Sequence, residues 1–209
     1  MKTALVYFCK FISSPFLESF FIEKVEGREN IPENNGFILA PNHINGKDHW
    51  FIASILKEKL RDMRFVGALD SFKTMLLSGP LYYFSNAITI NRKKVDRKCI
   101  LGKLIKNLKQ NKIIVLYPEG DSNNRKTLLK GKTGIADLAL ATGVPVVPVG
   151  IQSSKTSFKR IIKIGKPLYY SKQEIENKSE NYNQVLRKIT DQIMREVSNL
   201  SQKPYHHDN

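Results

Sequence analysis

Only two cysteines, Cys9 and Cys99, occur in the 209 residues, and no long apolar run does. Two such cysteines form neither a disulfide framework nor a metal-ligand spacing, so a reducing compartment is the simpler reading. Cys9 lies in an apolar segment and Cys99 in a helix-like one, and both are expected to be inert packing residues. The longest apolar run near the start, residues 4–9, falls far short of the ~20 residues that cross a bilayer. Lys10 breaks it, Pro15 interrupts any helix that follows, and no small-residue cleavage pattern marks a signal peptide. Acidic residues are scarce as well: 19 Asp+Glu stand against 34 Lys+Arg, a formal net charge of +15. That field favours polyanions, namely nucleic acid, an anionic membrane surface or phosphorylated substrates. The aromatics gather in the N-terminal segment and in "LYYF" (81–84), without the interleaved basic residues that a base-stacking surface needs. Nucleic acid is therefore not an expected partner.

The remaining composition, 41% hydrophobic and 25% charged, is that of one folded domain. Short apolar runs at 36–40, 63–69, 87–90, 112–117, 144–151 and 160–165 read as buried strands. Helix-like stretches at 50–59, 95–110 and 130–141 lie between them. Buried strands alternating with helices predict an α/β fold with a mostly parallel central sheet flanked by helices, its functional loops at the strand C-terminal ends. Residues 1–24 mix apolar and aromatic side chains with Lys2, Lys10, Glu18 and Lys24, the pattern of an amphipathic helical element lying at a membrane surface. Residues 25–200 form the domain, closed by a C-terminal amphipathic helix that carries Val185, Ile189, Ile193 and Val197 at helical spacing. Residues 201–209 are expected to be a flexible tail, with His206 and His207 solvated.

Three strand ends carry chemistry. In "PNHINGKDHW" (41–50), His43 and Asp48 meet only if the histidine sits in the turn after "GFILA" and the aspartate opens the next helix. On one continuous helix they would point about 140° apart. A carboxylate taking the imidazole Nδ1–H would leave Nε2 as a base for a hydroxyl. Two other readings stay open: Asp48 as a simple helix-start charge, or His43, Asp48 and His49 as metal ligands. The metal set is incomplete, so no metal is expected. The second strand end is "LYPEGDSNN" (116–124), where Glu119 enters the sheet-end crevice and Gly120, Asp121 and Ser122 offer backbone and short polar groups to a substrate. The third, "AITINR" (87–92), delivers Arg92, suited to phosphate. "KGKTG" (130–134) ends like a nucleotide-binding P-loop, but Lys126 stands where its first glycine belongs, and that reading is rejected.

Together these blocks resemble the glycerolipid acyltransferase family typified by bacterial 1-acylglycerol-3-phosphate acyltransferases. The family's Asn-His-x4-Asp block matches Asn42, His43 and Asp48, and its arginine-ended block matches "AITINR" with Arg92. Its aromatic-Pro-Glu-Gly block matches Tyr117, Pro118, Glu119 and Gly120, and its Val-Pro-Val-x-Pro-Val strand matches residues 144–149. The resemblance implies transfer of a fatty acyl group from acyl-CoA or acyl carrier protein, with no permanently bound cofactor, to a lysophospholipid hydroxyl. His43 would be the base oriented by Asp48, and Arg92, Glu119 and Gly120 would help to hold the acceptor's head. It also implies a peripheral enzyme on the cytoplasmic face of the cell membrane. Asp121 and Ser122 depart from the family's threonine and arginine, and Ala68 stands where a lysine is common. Two cations expected to bind phosphate are thus missing, each worth roughly 1.5–3 kcal/mol as a charge-assisted contact. Arg125 and Lys73 are the cations that would compensate. The expected acceptor is 1-acylglycerol-3-phosphate. A lysolipid with an esterified head, or hydrolysis of the thioester or a lipid ester by the same pair, stays open.

Overall fold

The structure is a computed structural model that describes residues 15–33, 36–68, 82–83, 87–90, 96–154, 158–171 and 181–207. Seven strands form one sheet in the order β1-β7-β6-β2-β5-β3-β4. They are β1 (Ile22–Glu26), β2 (Ile38–Pro41), β3 (Met63–Gly67), β4 (Ile88–Thr89), β5 (Ile113–Val115), β6 (Val146–Ser153) and β7 (Arg160–Ile164). All neighbours run parallel except β6 and β7, which are antiparallel. The expected α/β architecture with a mostly parallel sheet is therefore present.

Strands β2 and β5 are apolar at every position because both faces are covered. Phe37 and Leu39 join Ile113 and Val115 in one core layer with Phe51, Ile52 and Phe65. Ile38 and Ala40 face the opposite layer with Ile114, Leu104, Leu138 and Ile189. Period-2 alternation thus feeds two cores at once, which is why "GFILA" and "KIIVLY" read as unbroken runs. Each side chain fully buried in this way contributes about 1.5–3 kcal/mol of hydrophobic stabilisation.

Helix α1 (Pro15–Phe21) precedes the sheet, and α2 (Asp48–Ile55) covers the first layer. The second layer is covered by α3 (Arg97–Lys109), α4 (Gly134–Thr142) and α5 (Tyr182–Ser201). The caps follow from sequence. Asp96 accepts the Cys99 N–H at the start of α3, Gly143 ends α4 at φ +66°, and Asn181 with Gln184 forms a capping box on α5. Helix α5 lies close against β6: a Cβ on Gly150 would stand 2.2 Å from the Leu200 backbone, so only glycine allows this crossing.

Three expectations are corrected. Residues 22–24, read as part of an N-terminal helix, begin strand β1, which pairs with β7 and buries Ile22 while Glu23 and Lys24 stay exposed. Cys99 is exposed on α3 rather than packed. The tail is seated, not free, as far as Tyr205 and His207. The Tyr205 hydroxyl donates to Asp191 at 2.5 Å, and the Pro204 carbonyl accepts from Leu128 N–H at 2.9 Å. The segment 1–14, expected to lie at a membrane surface and to include a packed Cys9, falls outside the described residues.

Candidate active site

β2, β3, β4, β5 and β6 are mutually parallel, so their C-terminal ends share one edge of the sheet. The site is built there. Beyond β2, Asn42 extends the ladder through its side chain: Nδ2 donates to Ile151 O at 3.1 Å, and Ile151 N–H donates to Oδ1 at 2.6 Å. This buried clamp delivers His43 just past the sheet. A turn over 43–47 then leads into α2, whose first residue is Asp48.

The structure brings His43 and Asp48 together, with Nδ1 2.9 Å from Oδ2. The same oxygen accepts the backbone N–H groups of Ile44 at 2.5 Å and Asn45 at 2.7 Å. Asp48 is fully buried and its other oxygen, Oδ1, has no partner, so its hydrogen bonding converges on Oδ2. A carboxylate held by three N–H donors remains an acceptor, which places the proton on His43 Nδ1 and the lone pair on Nε2. His43 itself stays partly exposed, at 14% for the side chain.

Glu119 lies 2% exposed near the start of the loop that follows β5 and is spent on the two loops it joins. Oε1 accepts His43 N–H at 3.0 Å, and Oε2 accepts Asn123 Nδ2 and Leu129 N–H, each at 2.9 Å. Asn123 closes the circuit, its N–H donating to His43 O at 2.7 Å. Gly120 turns the chain at φ +74°. Gly120, Asp121, Ser122 and Arg125 form the exposed rim. Arg92 and Lys73 lie outside the described residues.

Sequence reasoning missed the aromatic support behind His43. The Tyr117 ring stacks on the imidazole with centroids 4.2 Å apart. Its hydroxyl is 2.9 Å from His49 Nδ1, and His49 Nε2 is 3.1 Å from the Tyr82 hydroxyl. His49 therefore serves two phenols, one as donor and one as acceptor. Among the described residues no three His, Cys, Asp or Glu side chains gather as a metal site. Burial, and to a lesser degree the nearness of a second imidazole at His43, lowers the His49 pKa to about 3, and burial raises that of Tyr117 well above the usual phenol value. "YPEG" carried the only signal, because a tyrosine buried at that position needs a partner for its hydroxyl.

The neutral His49 has a measurable consequence. Between pH 6.5 and about 3 the unfolded chain binds a proton there that the folded chain excludes. Stability present above pH 6.5 is then lost as pH falls, by up to about 1.4 kcal/mol per pH unit. Urea midpoints measured at roughly pH 7 and pH 5 should drop further for the wild type than for His49→Gln; equal drops would mean that folded His49 takes up the proton.

A family model described as acyltransferase matches residues 23–152. The chain is 26% identical over 149 residues to glycerol-3-phosphate O-acyltransferase 1 of Saccharomyces cerevisiae, covering 66% of this chain and 19% of that protein. It is 26% identical over 144 residues to 1-acyl-sn-glycerol-3-phosphate acyltransferase of Salmonella typhimurium, covering 66% of this chain and 57% of the relative. The chain thus spans from a fifth to little more than half the length of these relatives. Among solved structures, that of the 1-acyl-sn-glycerophosphate (LPA) acyltransferase PlsC from Thermotoga maritima superposes with a TM-score of 0.62 at 23% identity, over 95% of this chain and 79% of that one. At that identity the likeness is one of fold.

Proposed function

This chain belongs to the acyltransferase family, and we propose that it moves a fatty acyl group from an acyl thioester, on CoA or acyl carrier protein, to the free hydroxyl of a lysophospholipid, 1-acylglycerol-3-phosphate first among them. The observation that carries the chemistry is the His43 Nδ1–Asp48 Oδ2 contact of 2.9 Å, with the carboxylate buried at the C-terminal edge of the sheet.

In this reading His43 Nε2 takes the proton of the acceptor hydroxyl as the oxygen attacks the thioester carbonyl. Asp48 stabilises the imidazolium that results. The C–S bond breaks as the tetrahedral intermediate collapses, and the imidazolium returns its proton to the departing thiolate, giving ester and thiol. Glu119 acts through position, fixing the His43 amide and the Asn123–Leu129 loop so that the imidazole meets a rim of fixed shape. Exposed Gly120, Asp121, Ser122 and Arg125 border the acceptor's head.

The lipid acceptor implies work at an anionic membrane surface, peripherally on the cytoplasmic face. Support comes from the +15 formal charge and from exposed Phe20 and Phe158, whose rings lie 5.7 Å apart. No helix among the described residues is long and apolar enough to cross a membrane.

The test is transfer from a radiolabelled acyl thioester to a panel of lysolipids on anionic and neutral vesicles. Acylated lysophosphatidic acid with one thiol released per ester is expected, faster on anionic vesicles and slowed by salt. An esterified-head lysolipid as best acceptor would move the specificity to Asp121 and Ser122. Free fatty acid formed without any acceptor would replace the transferase by a hydrolase.

A further inference from the structure

Two cations that lie outside the matched region, Lys203 and Arg160, stand at the same end of the sheet as this site. Helix α5 ends at Ser201, and the chain turns back through Gln202 in a left-handed conformation. Anchors on both sides then hold the next residues. Ser198 Oγ donates to Lys203 O at 2.7 Å, and Leu128 N–H donates to Pro204 O at 2.9 Å. Tyr205 is tied to Asp191, which also binds Arg187 through two hydrogen bonds of 2.6 and 2.9 Å. Between these anchors the Lys203 ammonium reaches Asn123 O at 3.1 Å, engaging one of its three donors. Asn123 is the residue whose N–H holds the His43 carbonyl, so a single residue links Lys203 to the histidine.

Arg160 opens β7 opposite Ser153, the last residue of β6, at the same edge of the sheet. Its Nε is buried without a hydrogen-bond partner. Burial lowers the Lys203 pKa; Glu119 and then Asp48 act in the opposite sense, and the Arg160 charge adds a smaller lowering. Two partly buried cations with unspent donors at one edge of the sheet are suited to share an anion through charge-assisted hydrogen bonds.

We propose that Lys203 and Arg160 bind the phosphate of the acceptor beside His43. The proposal rests on the function assigned above and deepens it. It supplies the cationic pair that Ala68 and Ser122 do not, from a different part of the chain. In a glycerolipid the phosphate and the free hydroxyl lie a few bonds apart, which matches a cation one residue removed from the base.

The test is steady-state acylation of lysophosphatidic acid by the full chain carrying Lys203→Met, Arg160→Met or Lys203→Arg. Each methionine variant should raise the acceptor KM by about 10-fold or more, the size of one lost charge-assisted contact, and leave the donor KM unmoved. Lys203→Arg should restore most of the loss. A fall in kcat at unchanged acceptor KM would overturn the proposal, reducing Lys203 to a prop for the Asn123 loop. A raised donor KM would overturn it in favour of thioester phosphates. If the wild type acylates no acceptor, the function above fails, and the anion site is read alone by titrating glycerol 3-phosphate and inorganic phosphate into wild type and Lys203→Met. Binding weakened about 10-fold in the variant sustains the site; equal binding removes it.

Discussion

His43→Ala is expected to lower kcat by about 10³-fold, within the range that one positioned general base supplies. The acceptor KM should stay within a few fold, because the imidazole acts in the transition state rather than in ground-state binding. The fold should survive. His43 is held through its backbone, by Glu119 at its N–H and Asn123 at its carbonyl, and both contacts persist in alanine. What disappears is Nε2 and, with it, the reason for Asp48 to gather three N–H donors on one oxygen. Asp48→Asn is the companion variant. Its amide can turn N–H toward His43 and favour the wrong tautomer, so it should approach the His43→Ala loss while the histidine remains. A His43→Ala enzyme within tenfold of wild type would remove the general-base mechanism, and with it the main support for the proposed chemistry.

The second large effect falls on stability. Glu119→Gln should cost about 2–3 kcal/mol, the penalty for leaving a buried donor facing another donor. Both carboxylate oxygens serve as acceptors, one to the His43 N–H and the other to Asn123 and Leu129, and glutamine offers only one acceptor atom. Whichever way the amide turns, at least one loop is released. The readout is a lower denaturant midpoint at unchanged slope, accompanied by a lower kcat as His43 loses its fixed position. The result is discriminating. If Glu119 instead held the acceptor's head, the midpoint would stay near wild type and the acceptor KM would rise.

How much of this was legible in sequence depended on whether a residue's surroundings are local. β2, β5 and β6 were readable because strands buried on both faces must be apolar throughout. The meeting of His43 with Asp48 was readable because a turn and a helix start separate them by five residues. β1 was not, since an edge strand needs only alternate burial and "IEKVE" carries charges that a helix could equally present. The seated tail was not readable either. Tyr205 reaches the Asp191–Arg187 pair of α5 only because Gln202 turns the chain back, and Pro204 is held by Leu128 from a loop distant in sequence, so neither anchor shows as a local pattern. His49 shows the same limit more sharply. Beside His43 and Asp48 it read as a possible third ligand, whereas the fold turns it away toward two phenols that lie far along the chain.

The strand order also governs how such a chain can be completed as it is made. β1 leaves a ribosome before the other strands of this sheet, yet its partner β7 emerges after all of them. Only β3–β4 and β6–β7 join strands that follow one another in sequence, so only those pairs can close as soon as their second member appears. The catalytic edge is centred on β2, whose two neighbours, β5 and β6, both follow it at a long distance in sequence. Contacts so distant carry a large loop-closure cost and favour slow assembly. A chain synthesised only as far as β2 therefore carries His43 and Asp48 but lacks the flanking strands that fix their turn in place, and the reactive centre comes into being only once β5 and β6 have been made.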